Sequence, residues 1–175
     1  MLQDLAFHSP SHGILRLPEM VDEIVTYIDE MSENHYTLII GTDSKGHEGQ
    51  VDFVTAVVVH REGLGGRYFW LKTTGLTVYS LRDKIYKETL LSLELAKDLV
   101  PALHDRLCPD DYNYKLEIHI DVGIVGDTRE VIREVVGMVS GSGYQVRTKP
   151  DSYAASTIAD RHTTRSRYQR ESHHV

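Results

Sequence analysis

Residues 36–43 open on Tyr36, Thr37, Leu38, Ile39 and Ile40, an apolar run with the β-branched and aromatic bias of a buried strand, and close on Asp43. Two further runs follow closely. Residues 52–61 hold Phe53, Val54, Thr55, Ala56, Val57, Val58 and Val59, and residues 67–73 hold Tyr68, Phe69, Trp70 and Leu71. The connectors carry Gly46 and Gly49, then Gly63, Gly65 and Gly66. Short glycine-bearing connectors join antiparallel neighbours, so the three runs predict a meander. Upstream, Pro18 stands in the first turn of a helix whose apolar face is Met20, Val21, Ile24, Val25, Ile28 and Met31. Residues 1–17 carry no such period and read as an irregular arm with a turn at residues 9–13.

Downstream of the meander, helical spacing covers residues 80–100, and alternation predicts a strand at residues 114–122. Asp127 and Glu130 form a capping-box-like pair that opens a third helix, with Val131, Ile132, Val135, Val136 and Val139 as its buried stripe. Residues 144–149 predict a fifth strand, and residues 152–161 a last helix beyond Pro150. Strands joined through helices tend to run parallel. The expected fold is therefore α/β. It is a five-stranded mixed sheet, three antiparallel strands followed by two parallel ones, flanked by helices and preceded by an N-terminal helix. One domain is expected over residues 1–165. Residues 166–175 lack apolar periodicity and read as a mobile basic tail, continuing the run Arg161, Arg165, Arg167 and Arg170.

The 175 residues, 41% apolar and 26% charged, suit one soluble domain with a sizeable core. No apolar run reaches membrane-spanning length and no signal-peptide pattern opens the chain, so no membrane partner is expected and the cytoplasm is the expected compartment. Cys108, the single cysteine, excludes an internal disulfide. A net charge of −7 argues against broad non-specific binding to nucleic acid. Neither a Walker-type loop nor a G-x-G-x-x-G turn is present, which argues against nucleotide-fuelled work.

Against that ordinary background, a few acids stand in unusual settings. Asp43 ends a strand that belongs in mid-sheet, where an ionised carboxylate is costly. Alternation places Glu117, His119 and Asp121 on one face of the fourth strand, and Leu116, Ile118, Ile120 and Val122 on the other. If the first and fourth strands are neighbours, Asp43 and Asp121 converge at one sheet edge. Two such carboxylates repel unless a cation or proton lies between them. Glu88 lies at helical offsets from Leu81, Ile85, Ser92 and Leu95, which puts it on the sheet-facing stripe. Asp83, Lys87, Glu94 and Asp98 occupy a separate polar face. Asp160 shares a small polar face with Tyr153, Ser156 and Thr157, while Asp151, just after Pro150, is the alternative last acid and can equally serve as a helix cap. Oxygen-only ligands favour Mg²⁺ or Mn²⁺, and three or four carboxylates can hold two such ions about 4 Å apart for in-line phosphoryl transfer.

Three antiparallel strands bearing Asp43, a helix bearing Glu88, a strand bearing Asp121 and a last helix bearing Asp160 resemble the ribonuclease H-like fold. Ile158-Ala159-Asp160 resembles the Ala-Asp pair frequent in its final helix. More specifically, residues 41–45, 87–96, 119–129 and 149–160 resemble the bacterial YkuK-type family of that superfamily, over roughly residues 7–165. The resemblance implies a metal-dependent nuclease or phosphodiesterase with Asp43, Glu88, Asp121 and Asp160 as catalytic acids and metal ligands, Asp151 in reserve, and Mg²⁺ or Mn²⁺ in a two-ion site. Ser44, Lys45, His119, Lys149 and Ser152 are the candidate substrate contacts, and nucleic acid is the expected partner. A module that keeps the fold without the chemistry, and phosphoryl chemistry on small nucleotides, are the competing expectations.

Overall fold

The computed structural model of the chain describes residues 5–46, 49–107, 114–122, 128–152, 157–158 and 161–162. The elements run β1 (Phe7–Ser9), β2 (Gly13–Leu15), α1 (Leu17–Asp29), β3 (Tyr36–Lys45), β4 (Gly49–Arg61), β5 (Gly65–Val78), α2 (Leu81–His104), β6 (Tyr114–Ile120), α3 (Arg129–Gly141) and β7 (Gln145–Thr148). The strands form one sheet in the order β2-β1-β5-β4-β3-β6-β7. β3, β4 and β5 make the expected antiparallel meander, and β6 and β7 add parallel to it.

The sheet has seven strands rather than five. The two additional strands are a hairpin inside the arm expected to be irregular, with Phe7 opposite Leu15 and Ser9 opposite Gly13. Three residues per strand are too few for a two-residue period to stand out, so pairing rather than local pattern makes this hairpin. β1 attaches to β5 through His8 and Trp70, whose rings stack, and Phe7 is fully buried. β5 also runs further than the expected 67–73. Phe53 faces Thr73 while Val51 faces Leu76, so β5 carries one extra residue there. Gly75, at φ +77, takes the left-handed conformation that such a bulge requires.

Two helix boundaries also differ from expectation. Ser80 caps α2 by accepting a hydrogen bond from the Asp83 amide, and α2 continues through Pro101 to His104. Pro101 lacks the N–H that would bond the Lys97 carbonyl and crowds that carbonyl, and the burial of Leu99 and Leu103 holds the last turn in place. α3 begins after Thr128, which makes no side-chain cap bond, and the expected cap Asp127 lies outside the described residues. The last helix is described only at residues 157–158 and 161–162, both helical, and the basic tail lies outside the described residues.

α1, α2 and α3 pack on one sheet face, where Met20, Ile24, Leu95, Leu99, Val135 and Val139 meet Leu38, Ile40, Val57 and Ile118. A smaller cluster on the other face joins Ile39, Ala56 and Val58 to Tyr68 and Ile158. Tyr36 ties α1 to the sheet. Its hydroxyl donates to the Met31 carbonyl at 3.0 Å and accepts from Arg61 Nε at 2.8 Å, while Arg61 Nη2 donates to the Tyr27 carbonyl at 2.6 Å. Tyr36→Phe leaves a buried guanidinium N–H without its acceptor. It is expected to cost about 1–3 kcal/mol, read as a lower urea midpoint at unchanged slope.

One feature of the register prepares the functional site. β6 pairs with β3 only as far as Gly41 opposite His119, yet β3 continues to Lys45 beside β4. The last residues of β3 therefore have a strand neighbour on one side and a notch on the other, at the carboxyl end of β6. Open α/β sheets place ligands at such strand ends.

Candidate active site

A cavity of about 390 Å³ opens at this notch, lined by Asp43, Leu81, Lys84, Ile85, Glu88, Asp121, Val122 and Thr128. Three acids far apart in sequence thus come to one place. Asp43 arrives on β3 and is half-buried. Glu88 arrives on the sheet-facing stripe of α2 and is 7% exposed. Asp121 stands one residue past β6, where the Val122 amide bonds back to the Ile120 carbonyl at 2.9 Å and the chain turns. Strand alternation had put Asp121 and Val122 on opposite faces. The turn ends that alternation, and both line the cavity.

A set of hydroxyls fixes Glu88. Thr42 Oγ1 lies 2.9 Å from Thr55 Oγ1 and 2.8 Å from Ser92 Oγ, which bonds the Glu88 carbonyl at 3.1 Å. Ser44 Oγ donates to Glu88 Oε1 at 2.6 Å. The alternation of β3 puts Thr42 and Ser44 on one face, where both reach α2. The Glu88 carboxyl is pushed up to about 7, chiefly by burial. Ser44 and Lys84 pull it down, and Asp43 and Asp121 add to the rise.

Two lysines enter this acidic ground. Lys84 Nζ donates to the Ser44 carbonyl at 2.9 Å and stands 3.7 Å from Glu88 Oε1. Lys149 Nζ stands 3.1 Å from Asp121 Oδ1, though off the hydrogen-bonding direction, so this buried oxygen makes no hydrogen bond. Among the described residues, no group of three or more His, Cys, Asp or Glu side chains is arranged to hold a metal ion.

The remaining sequence candidates fall in different places. Lys45 is exposed and does not line the cavity. Asp151 is exposed in the turn after β7, where its charge acts on Arg147 rather than on the cavity. Ser152 is fully buried. Asp160 lies outside the described residues. His119 is buried beside Gly41, its Nε2 3.2 Å from Glu117 Oε2. Burial holds the imidazole below its usual range despite Glu117, so the ring is neutral near pH 7 and donates from Nε2. Burial opposes the Glu117 charge, but hydrogen bonds from Arg147 and His119 outweigh it and keep that carboxyl low.

Lys84 and the Glu117–Arg147 pair escaped the sequence reading. The spacing of Lys84 four residues before Glu88 was a usable signal, since such pairs meet on a helix surface. Arg147 meets Glu117 only through the β6–β7 register, for which no local signal exists.

The ribonuclease H-like family model matches residues 19–164. Over 172 residues, spanning 93% of this chain and 99% of the relative, the chain is 30% identical to the uncharacterised protein YkuK of Bacillus subtilis strain 168. Among solved structures it is similar to ribonuclease H1 from the halophilic archaeon Halobacterium salinarum NRC-1. That match has 14% identity and a TM-score of 0.41, and covers 75% of this chain and 98% of that one. It is also similar to the N-terminal ribonuclease H domain of a Mycobacterium tuberculosis protein solved as a fusion with maltose-binding protein. There the identity is 10% and the TM-score 0.40, over 77% of this chain and 98% of that one.

Proposed function

Since this chain belongs to the ribonuclease H-like family, we propose that its notch hydrolyses phosphodiester bonds of nucleic acid with a divalent cation. The observation that carries this reading is Glu88. A carboxyl so buried that its pKa rises to about 7, sharing a cavity with two more carboxylates, is a costly arrangement for a fold to keep. A hard cation relieves that cost, and the donor chemistry fits one. Asp43, Glu88 and Asp121 offer oxygen only, and Asp121 Oδ1 is buried with no hydrogen bond. These three would hold the ion, with Asp160 as the fourth acid that the family resemblance implies. The ion would supply Lewis-acid charge to the phosphate and to the attacking water.

The chain's own groups divide the other tasks. Ser44 and the Thr42–Ser92 pair hold Glu88 in place. Lys149, whose side chain is 55% exposed, can leave Asp121 for a substrate phosphate. His119, paired with Glu117, sits buried two residues before Asp121. A second reading, a binding module without chemistry, is favoured by Lys84 and Lys149, which already balance part of the acidic charge.

A nuclease panel decides between the readings. Single-stranded and duplex DNA, RNA and their hybrid, each with Mg²⁺, with Mn²⁺ and with chelator, are expected to give cleavage of at least one substrate in the presence of metal only. No cleavage of any, with no Mn²⁺-induced rise in melting temperature at millimolar concentration, supports the module instead.

A further inference from the structure

Lys84 sits where a cation would. Its ammonium is bonded to the Ser44 carbonyl and lies close to the Glu88 carboxylate, and its side chain is only 19% exposed. Backbone carbonyl and carboxylate oxygens are the ligands that hard divalent ions take. The stem comes from α2 one turn before Glu88, so the charge reaches the cavity along the same stripe as the acid it faces. A surface lysine would hold its head in water. This one is turned inward, with its partners supplied by β3 and by its own helix.

We propose that the Lys84 ammonium takes the charge role of a second metal ion, so that this site binds one divalent cation where the four-acid pattern of the sequence predicts two. The inference rests on the hydrolytic reading above and narrows it. Like charges a few ångströms apart in a partly buried site are strongly unfavourable, so Lys84 and a second ion exclude one another. Lys84 is fixed to the backbone of β3, unlike Lys149, and it is therefore the residue that remains when the ion enters.

The test is a count of bound Mn²⁺, by titration calorimetry and by the loss of free-Mn²⁺ electron-spin signal, on the wild type, Lys84→Met and Lys84→Arg. Met keeps the apolar stem and removes the charge. Arg keeps the charge. The wild type and Lys84→Arg are expected to bind one Mn²⁺ per chain, and Lys84→Met two, with its activation by Mn²⁺ turning from hyperbolic to sigmoidal. Two ions in the wild type overturn this inference and leave the hydrolytic reading intact. One ion in Lys84→Met at unchanged affinity overturns it as well, since the lysine is then only a tether between α2 and β3. No Mn²⁺ bound by any of the three overturns both readings. If circular dichroism shows that Lys84→Met fails to fold, Lys84→Gln takes its place in the count, with the same expected and overturning results.

Discussion

Asp43→Asn is expected to lower metal-dependent cleavage by about 10²–10³-fold, the range seen when one preorganised electrostatic group is removed from an active site. The substitution keeps shape and takes away one negative charge. Its backbone stays in the ladder, with Asp43 opposite Val54, and the side chain is half-buried at the notch rather than packed in the core. The folded state should therefore survive, and its melting temperature in chelator should stay within a few degrees of the wild type. Cleavage rates on the best substrate of the panel, at saturating Mn²⁺, give the answer. A folded Asp43→Asn chain with full activity would remove Asp43 from the site and with it the basis of the hydrolytic assignment.

Glu88→Gln is expected to do something less intuitive, stabilising the protein above neutral pH while abolishing its activity. Burial, the largest influence, disfavours the charged carboxylate and lifts its pKa from 4.5 to about 7. Between those two values the unfolded chain has released a proton that the folded chain still holds. Stability therefore falls as pH rises through that window, and above about pH 7 the folded protein carries a constant penalty of about 3 kcal/mol. Glutamine carries no such penalty, and its carbonyl oxygen can still accept from Ser44 Oγ. Melting curves from pH 4 to pH 9 should show the wild type declining from pH 4.5 to 7 and the variant nearly level across that span. A variant that declines as steeply as the wild type would mean that Glu88 is not the group responsible. Mn²⁺ binds the ionised carboxylate, so it should raise the wild-type melting temperature more at pH 8 than at pH 5. Proteins commonly carry strain of this kind at functional sites at the expense of stability.

Much of the fold is legible along the chain because its periods are long and clean. The meander follows from three apolar runs with glycine connectors, and α2 from a stripe that keeps helical spacing from Ile85 to Leu103. The same stripe makes Glu88 visible, since an acid at an apolar position is a local irregularity that needs no partner to be noticed. Asp43 stands out for the same reason, at the end of an apolar strand. The hairpin of β1 and β2 was illegible because it exists only by pairing with β5. The end of β6 was misplaced by two residues, because alternation says nothing about the turn beyond it.

The sequence by itself determined the α/β class, the antiparallel meander and the strand and helix that carry Asp43 and Glu88, because each of these depends on neighbours a few residues away. Only the tertiary structure decided what those acids face. β6 stops pairing at His119 while β3 runs on, and that difference in length opens the notch. Into it come Asp121 from a turn and Lys84 from the first turn of α2, while Lys149, just beyond β7, meets Asp121 from outside the lining. Which charges meet there is set by the register of strands separated by whole helices. Register is a long-range choice made by burial, and local spacing cannot express it.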